Sequence, residues 1–586
     1  MTKSLTIAKD SINGQVNKSR VGYQTGPFFV NIGYICIYTI ITNMKRVLFS
    51  LALMVFCIIL GAQTTDYKVI VDCSREPIAE GPYSPTPEGL SSYQCPEWFR
   101  DAKFGIWAHW GPQCQPEDGD WYGRIMYEEG SRQYQYNIDT KGHPSEFGFK
   151  DWINEWKADK WQPDSLISLY KAAGAKYFVT LANHHDNFDL YDSPYQSWNS
   201  VNLGPRKDIV AGWEEACRKN GLYFGVSVHA AHAWSWYELS RGSDTKGPLK
   251  GVPYDGWLTK EDGAGTWWEG YDPQELYAQN HPLSKNSGAW NWEEDAVVCP
   301  DQAYCDKFYN RTMQLVNDYN PDFVYFDDTY LPLWPVSDAG LKLTAHIYNK
   351  SAAENGGVNQ AVVTGKVLND WQKKTVMWDV ERGAPDQIQE LPWQTCTCIG
   401  QWHYDKHVYY NDRYKTPAQV VRMLVDVVSK NGNLLLSVPL KGDGTLDPTE
   451  LAIVKRIGEW MEINSESIYG TRPWVIFGEG PQAEGINPIN AQGFNEGKLV
   501  YSSKDLRFNK KGEKTIYVTV MGVPEEDITV KALGSKTAQN SRKIKSISLL
   551  GSSESVLWTQ EKESLTISRP SSVPCEEAIV YKVTLR

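Results

Sequence analysis

Positive charge is in short supply in this chain. Lys and Arg number 59 against 71 Asp and Glu, a net charge of −12, and the basic residues form no stripe. Nucleic-acid affinity comes largely from cationic contacts to phosphate, so no nucleic-acid partner is expected. Long apolar runs are also scarce. The longest, Val47 to Leu60, is short for a bilayer crossing, and no second one follows, so no stable membrane span is expected. There is no H-E-x-x-H and no paired C-x-x-C. Without such ligand spacing neither a metal nor another cofactor is expected. Eleven Cys occur, nine of them after Ala62, and an odd number leaves at least one unpaired. Cys396-x-Cys398 puts two sulfurs on one face of a strand and reads as two small buried residues. Internal repeats and low-complexity linkers are absent.

Aromatic residues, by contrast, are abundant: 24 Trp and 33 Tyr, with aromatics making up 13% of the chain. Sugar rings present apolar C–H faces that stack on aromatic faces, so a Trp-rich acidic protein points toward carbohydrate; the plainer reading is a large aromatic core. At 586 residues the chain exceeds what one core accommodates, and two or more domains are expected. The stretch "MKRVLFSLALMVFCIILGAQ" has Lys45 and Arg46, an apolar run and then Gly61 and Ala62. That is the layout of a secretory signal peptide cleaved after Ala62. Residues 1–62 thus read as a leader with the signal at 44–62, and the protein is expected to be exported, to the periplasm or the cell exterior. Cys57 follows Phe56 rather than a small residue, so no lipid anchor is expected.

From about residue 100 to 440 short apolar runs alternate with amphipathic ones. The strand candidates are 103–111, 176–185, 222–230, 322–328, 361–367, 375–381, 395–404 and 433–440. Their near-continuous apolar character suits parallel strands buried on both faces. Val420, Leu424, Val427 and Val428 form one helical stripe. Arg218, Lys219 and Gly221 make a helix stop. The alternation predicts an α/β fold, a (β/α)8-like barrel over residues 63–470. Its fifth strand is the weakest, and the link from the fifth to the sixth, about eight residues, is too short for a full helix. Short alternating strands over 471–586 predict a C-terminal antiparallel β-sandwich. Residues 231–300, rich in Trp, Tyr and Gly, form a long insertion after the third strand: a substrate wall or a packed surface excursion.

A barrel of this kind carries its site at the C-terminal ends of its strands. There stand His109 and Trp110; Asn183, His184, His185 and Asp186; His229; Asp327 and Asp328; Asp379 and Glu381; and Trp402, His403 and Tyr404. Of only ten His, five gather on one rim. Two chemistries fit such a ring. One is a metal site built from the histidines, although adjacent His on a strand point to opposite faces. The other is glycoside hydrolysis by two carboxylates, one attacking the anomeric carbon and one protonating the leaving oxygen. "FVYFDD" (323–328) supplies the first carboxylate, and "WDVERG" (378–383) supplies the second.

Five pieces, "WFRDAKFGIWAHWGP" (98–112), "YFVTLANHHDNFDLYDS" (177–193), "PDFVYFDD" (321–328), "NGNLLLSVPLKGDGTL" (431–446) and "IYGTRPW" (468–474), resemble glycoside hydrolase family 29, the retaining α-L-fucosidases. The resemblance implies an exo-acting enzyme that releases terminal α-L-fucose from glycans by double displacement. It implies Asp327 as nucleophile, with Asp328 behind it or capping a helix. It implies His109, His184, His185 and His229 on the fucose hydroxyls, and Trp121, Tyr122 and Trp402 lining the sugar. The chain departs from the family at the acid/base. Many members have W-E-T-C where this one has "PWQTC", and the amide of Gln394 cannot donate a proton. Glu381 is then the expected acid/base, with Glu390 as runner-up and a carboxyl separation from Asp327 of roughly 5–5.5 Å. Gln394 also leaves room for a carbohydrate-binding protein whose barrel has lost catalysis, and a metal-dependent hydrolase is a third reading.

Overall fold

The structure, a computed structural model, describes residues 66–286, 292, 297–484, 493–498 and 500–586. The predicted signal segment lies outside the described residues. Eight parallel strands close into a barrel in sequence order: β1 Phe104–Ala108, β2 Tyr177–Asn183, β3 Tyr223–Val228, β4 Phe323–Phe326, β5 Val362–Lys366, β6 Met377–Glu381, β7 Trp393–Cys398 and β8 Gly432–Ser437. Nearly every residue of these strands is buried, which accounts for the unbroken apolar runs. The fifth strand is present and pairs with both neighbours. The links from β5 to β6 and from β6 to β7 carry no α-helix, only the 3-10 turn Gln372–Lys374 in the first.

Local chemistry sets the helices that do form. Asp208 caps the helix Ile209–Asn220, accepting from the Ala211 amide at 2.8 Å, and Gly221 ends it with φ +70°, a left-handed conformation that glycine adopts freely. Thr416 and Gln419 make a capping box at the helix Pro417–Ser429, with Pro417 opening the first turn. Its Val420, Leu424, Val427 and Val428 are buried, the stripe that the sequence displays.

The chain beyond the barrel forms two antiparallel sheets. Five strands run in the order β13, β16, β11, β10, β9 (Ile544–Leu549, Ile579–Leu585, Thr515–Val520, Leu506–Lys511, Arg472–Glu479). Three more run β12, β15, β14 (Ile528–Val530, Leu565–Ile567, Trp558–Gln560). β9 and β10 pack on the helix Pro417–Ser429, so the sandwich leans on the barrel's flank rather than standing apart.

The barrel interior is built in layers. Phe99, from the short helix Glu97–Ala102, plugs the bottom against Tyr177 and Phe323, with ring centroids 5.3 and 5.7 Å away. Above it runs a polar ladder. The Tyr177 hydroxyl donates to Gln394 Oε1 at 3.0 Å, Gln394 Nε2 donates to Asp379 Oδ1 at 2.8 Å, and the Tyr325 hydroxyl donates to Asp379 Oδ2 at 3.0 Å. Burial pushes the Asp379 carboxyl up to about 6 despite these donors.

Candidate active site

The ladder's top rung is the floor of a cavity of about 420 Å³ at the C-terminal ends of the strands. Strand alternation aims its key carboxylate. Phe323 and Tyr325 face the barrel axis, so Asp327, two residues on, faces the same way into the cavity. Asp328 also borders the cavity, but its carboxylate Oδ1 meets His232 Nε2 at 2.9 Å and its backbone carbonyl accepts from the Lys366 amide at 3.0 Å. No helix starts at Asp328, so it is not a cap.

Three elements converge on Asp327. His185 Nε2 and His229 Nδ1 approach its Oδ2 at 3.3 and 3.2 Å. The ammonium of Lys366, the last residue of β5, bonds to its Oδ1. Burial alone would raise the pKa of Asp327. The Lys366 charge and the hydrogen bonds from His185 and His229 outweigh it and hold the carboxyl well below its usual range. Asp327 is thus an anion held ready to attack.

The same ammonium bonds to Glu381 Oε2 at 2.7 Å. Two charge-assisted bonds of ordinary length meeting at one nitrogen leave the carboxylate oxygens no more than about 5.5 Å apart. That separation suits retention and is shorter than the roughly 6.5–9.5 Å that an inverting pair needs to admit water.

The histidines are fixed by their neighbours. Gln113 Nε2 donates to His184 Nδ1 at 2.9 Å, so the neutral ring carries its proton on Nε2. His185 Nδ1 donates to the His229 carbonyl at 2.9 Å. Ser227 Oγ meets His229 Nε2, and Ser437 Oγ meets His109 Nδ1 at 3.2 Å. Burial, then neighbouring imidazoles, hold His109 and His184 well below the usual histidine range; burial takes His229 down to about 4. His109, His184 and His229 are neutral at neutral pH. Neutral imidazoles can match an uncharged polyol hydroxyl by hydroxyl, and an unmatched buried donor is costly. Ligand atoms of His184, His185 and His229 lie within 4.8 Å of one another and could hold a metal ion. The His185 and His229 nitrogens that face Asp327 would have to turn to that task.

Of the residues read from the sequence, Asp327, Glu381, His109, Trp121, His184, His185, His229 and Trp402 all line the cavity. Trp402 does so from a loop, since β7 ends at Cys398. Tyr122 does not line it, and the expectation that it touches the sugar is corrected. Trp121 takes φ +57° and a helix starts at Tyr122. That turn sends Tyr122 back against Trp152, with its hydroxyl on Asn137 at 3.3 Å.

Gln394 sits at the opening of β7, in the ladder and below the site. It does not reach the position of an acid/base. Glu390 precedes β7 on an exposed stretch beside Asn431, at the far end of the barrel, which removes it as a candidate. No described residue of the 231–300 insertion lines the cavity; its Trp236 backs Trp121 at 6.3 Å. The sequence reading missed Lys366. The available signal was a lysine closing an otherwise apolar strand.

Two carboxylates across a deep, aromatic-walled, histidine-lined barrel mouth define a glycoside hydrolase site. The family profile described as Alpha-L-fucosidase matches residues 71–466, and that of the Alpha-L-fucosidase C-terminal domain matches residues 501–584. The chain belongs to the α-L-fucosidase family. It is 26% identical to the tissue alpha-L-fucosidase of Homo sapiens over 511 residues, 86% of this chain and 92% of that protein. With the tissue alpha-L-fucosidase of Mus musculus it shares 26% over 510 residues, 86% and 94% of the two chains. Among solved structures, the Thermotoga maritima alpha-fucosidase in complex with fucose superposes with a TM-score of 0.60 at 25% identity, covering 86% of this chain and all of that one.

Proposed function

We propose that this enzyme releases terminal α-L-fucose from glycans by double displacement with retention of configuration. The observation that carries the proposal is the single ammonium shared by Asp327 and Glu381, which holds two carboxylates at the spacing of a retaining pair. Asp327 attacks the anomeric carbon and forms a fucosyl-enzyme. Glu381 protonates the departing oxygen, then takes a proton from the water that frees the sugar. Lys366 keeps the nucleophile anionic and orients both carboxylates. His109, His184, His185 and His229 read the fucose hydroxyls, while Trp121 and Trp402 cover its apolar face. The C5 methyl seats against aromatic surface.

The test is the anomer formed first from an aryl α-L-fucoside, followed by proton NMR. Initial α-fucose supports the mechanism; initial β-fucose sinks it. The carbohydrate-binding alternative rested on Gln394, and the place of that residue in the barrel ladder removes its basis. We also propose export by the 44–62 segment. A host-produced mature chain starting near Gln63 supports it, and a mature start at Met1 refutes it.

A further inference from the structure

The connection between β9 and β10 of the C-terminal sheet returns to the active site. Its residues 493–498 lie outside both family matches, yet they dock on the end of β6. Gly493 makes a parallel bridge to Glu381 with φ +86°, and a Cβ there would meet the Glu381 carbonyl at 2.4 Å, so only glycine fits. The Phe494 amide donates to the Glu381 carbonyl at 2.8 Å, and the Glu496 amide donates to the Arg382 carbonyl at 3.0 Å. Asn495 Oδ1 accepts from the Ala384 amide at 3.1 Å. Glu496 anchors the stretch: it pairs with Arg382 at 2.9 Å and Lys415 at 3.0 Å, and accepts from the Thr397 hydroxyl at 2.6 Å.

This mooring presents one side chain to the cavity. Phe494 lines it together with Asp327, Glu381 and Trp402. Its backbone takes φ +50°, a left-handed conformation disfavoured for a bulky residue and held here by the bonds on either side. The histidines that face Asp327 are at most 5% exposed, whereas Phe494 is 58% exposed. The ring therefore stands at the mouth, beside the residue that serves the leaving oxygen, and not at the closed end where the fucose sits.

We propose that Phe494 forms the leaving-group subsite, stacking on the apolar face of the sugar to which fucose is attached. The inference rests on the fucosidase reading and deepens it: a connection of the C-terminal domain selects the glycan that is cut. An exposed phenyl ring gains by covering a pyranose face, since both surfaces leave water.

The test compares two substrates for the wild type and Phe494→Ala. One is an α-L-fucosyl disaccharide; the other is α-L-fucosyl fluoride, whose leaving group is too small to reach Phe494. The ratio of kcat/KM for disaccharide over fluoride is expected to fall roughly tenfold, and Phe494→Tyr or Phe494→Trp should restore it. An unchanged ratio overturns the subsite. Equal losses on both substrates also overturn it, because they would mean a disturbed fucose pocket or nucleophile, which both share in the first step. A wild type that leaves the fluoride intact overturns the fucosidase reading and this subsite with it.

Discussion

Two buried clusters in this protein contain the same kinds of group and do different work. At the barrel mouth Asp327 meets Lys366, which also holds Glu381. On the barrel's flank Asp426 meets Lys430 at 2.8 Å and Arg507, from β10 of the sandwich, at 2.5 Å. In both, burial pushes the aspartate up and neighbouring cations more than reverse it. The difference is access. The Asp327 side chain keeps 15% of its surface open to a cavity, whereas that of Asp426 keeps 1%. Charge pairing alone therefore does not mark a catalytic group. A depressed carboxylate does chemistry when a substrate-sized space stands before it, and holds domains together when none does.

The largest expected effect lies in the open cluster. Asp327→Ala or Asp327→Asn should lower kcat by several orders of magnitude, since the variant loses the carboxylate that forms the covalent bond. Thermal unfolding should move little, because Lys366 keeps Glu381 as a partner. Asp328→Asn should cost far less, as its carboxylate faces His232. Reversed effects would mean that Asp328 carries the chemistry and that the open cluster has been assigned to the wrong residue.

Glu381→Ala comes next, at roughly 10²–10⁴-fold on a glycan substrate. An aryl fucoside with an activated leaving group needs little protonation and should lose much less in the first step. Added azide should restore part of the second by replacing the activated water. Equal loss on all substrates, with no azide effect, would leave Glu381 a merely structural partner of Lys366 and make the two clusters alike.

The closed cluster should respond in stability instead. Asp426→Asn leaves Lys430 and Arg507 buried against an amide, a change that typically costs about 3–5 kcal/mol. Urea unfolding should register that loss, while kcat per folded molecule stays near wild type. A large fall in kcat with unchanged stability would erase the contrast.

Much of this was legible in the sequence, for reasons specific to each element. Buried parallel strands must be apolar throughout, so the eight barrel strands stand out, and polar residues at their ends are conspicuous. Asp327 follows from the two-residue alternation once Tyr325 is seen to face inward. Strand ends are less well marked. The seventh strand reads as 395–404, which leaves Gln394 just before it, yet β7 begins one residue before Gln394, and that shift moves it to the interior. Trp121 and Tyr122 look equivalent as neighbours, but a left-handed turn at Trp121 separates their directions. Lys366 and Phe494 owe their roles to partners on other strands or far along the chain. Their meaning is tertiary, and no local pattern carries it.

The smallest expected effect separates the clusters by pH. Asp327 must be ionised to attack, so the acid limb of kcat/KM follows its carboxyl and should lie below the usual carboxylate range. Lys366 is foremost among the charges that hold it there. Lys366→Gln should therefore move that limb upward by about one pH unit or more, whatever it does to the plateau. Stability follows the same sign in both clusters. An aspartate depressed in the folded state binds protons more readily when unfolded, at about 3.9. Its contribution is present above that value and is lost as pH falls through the lower folded value. Asp426→Asn and Lys366→Gln should both flatten the loss of stability on acidification, measured by urea unfolding below about pH 4. Only Lys366→Gln should move the activity limb. If Asp426→Asn moves it equally, the closed cluster reaches the site through the helix Pro417–Ser429, and access no longer divides the two.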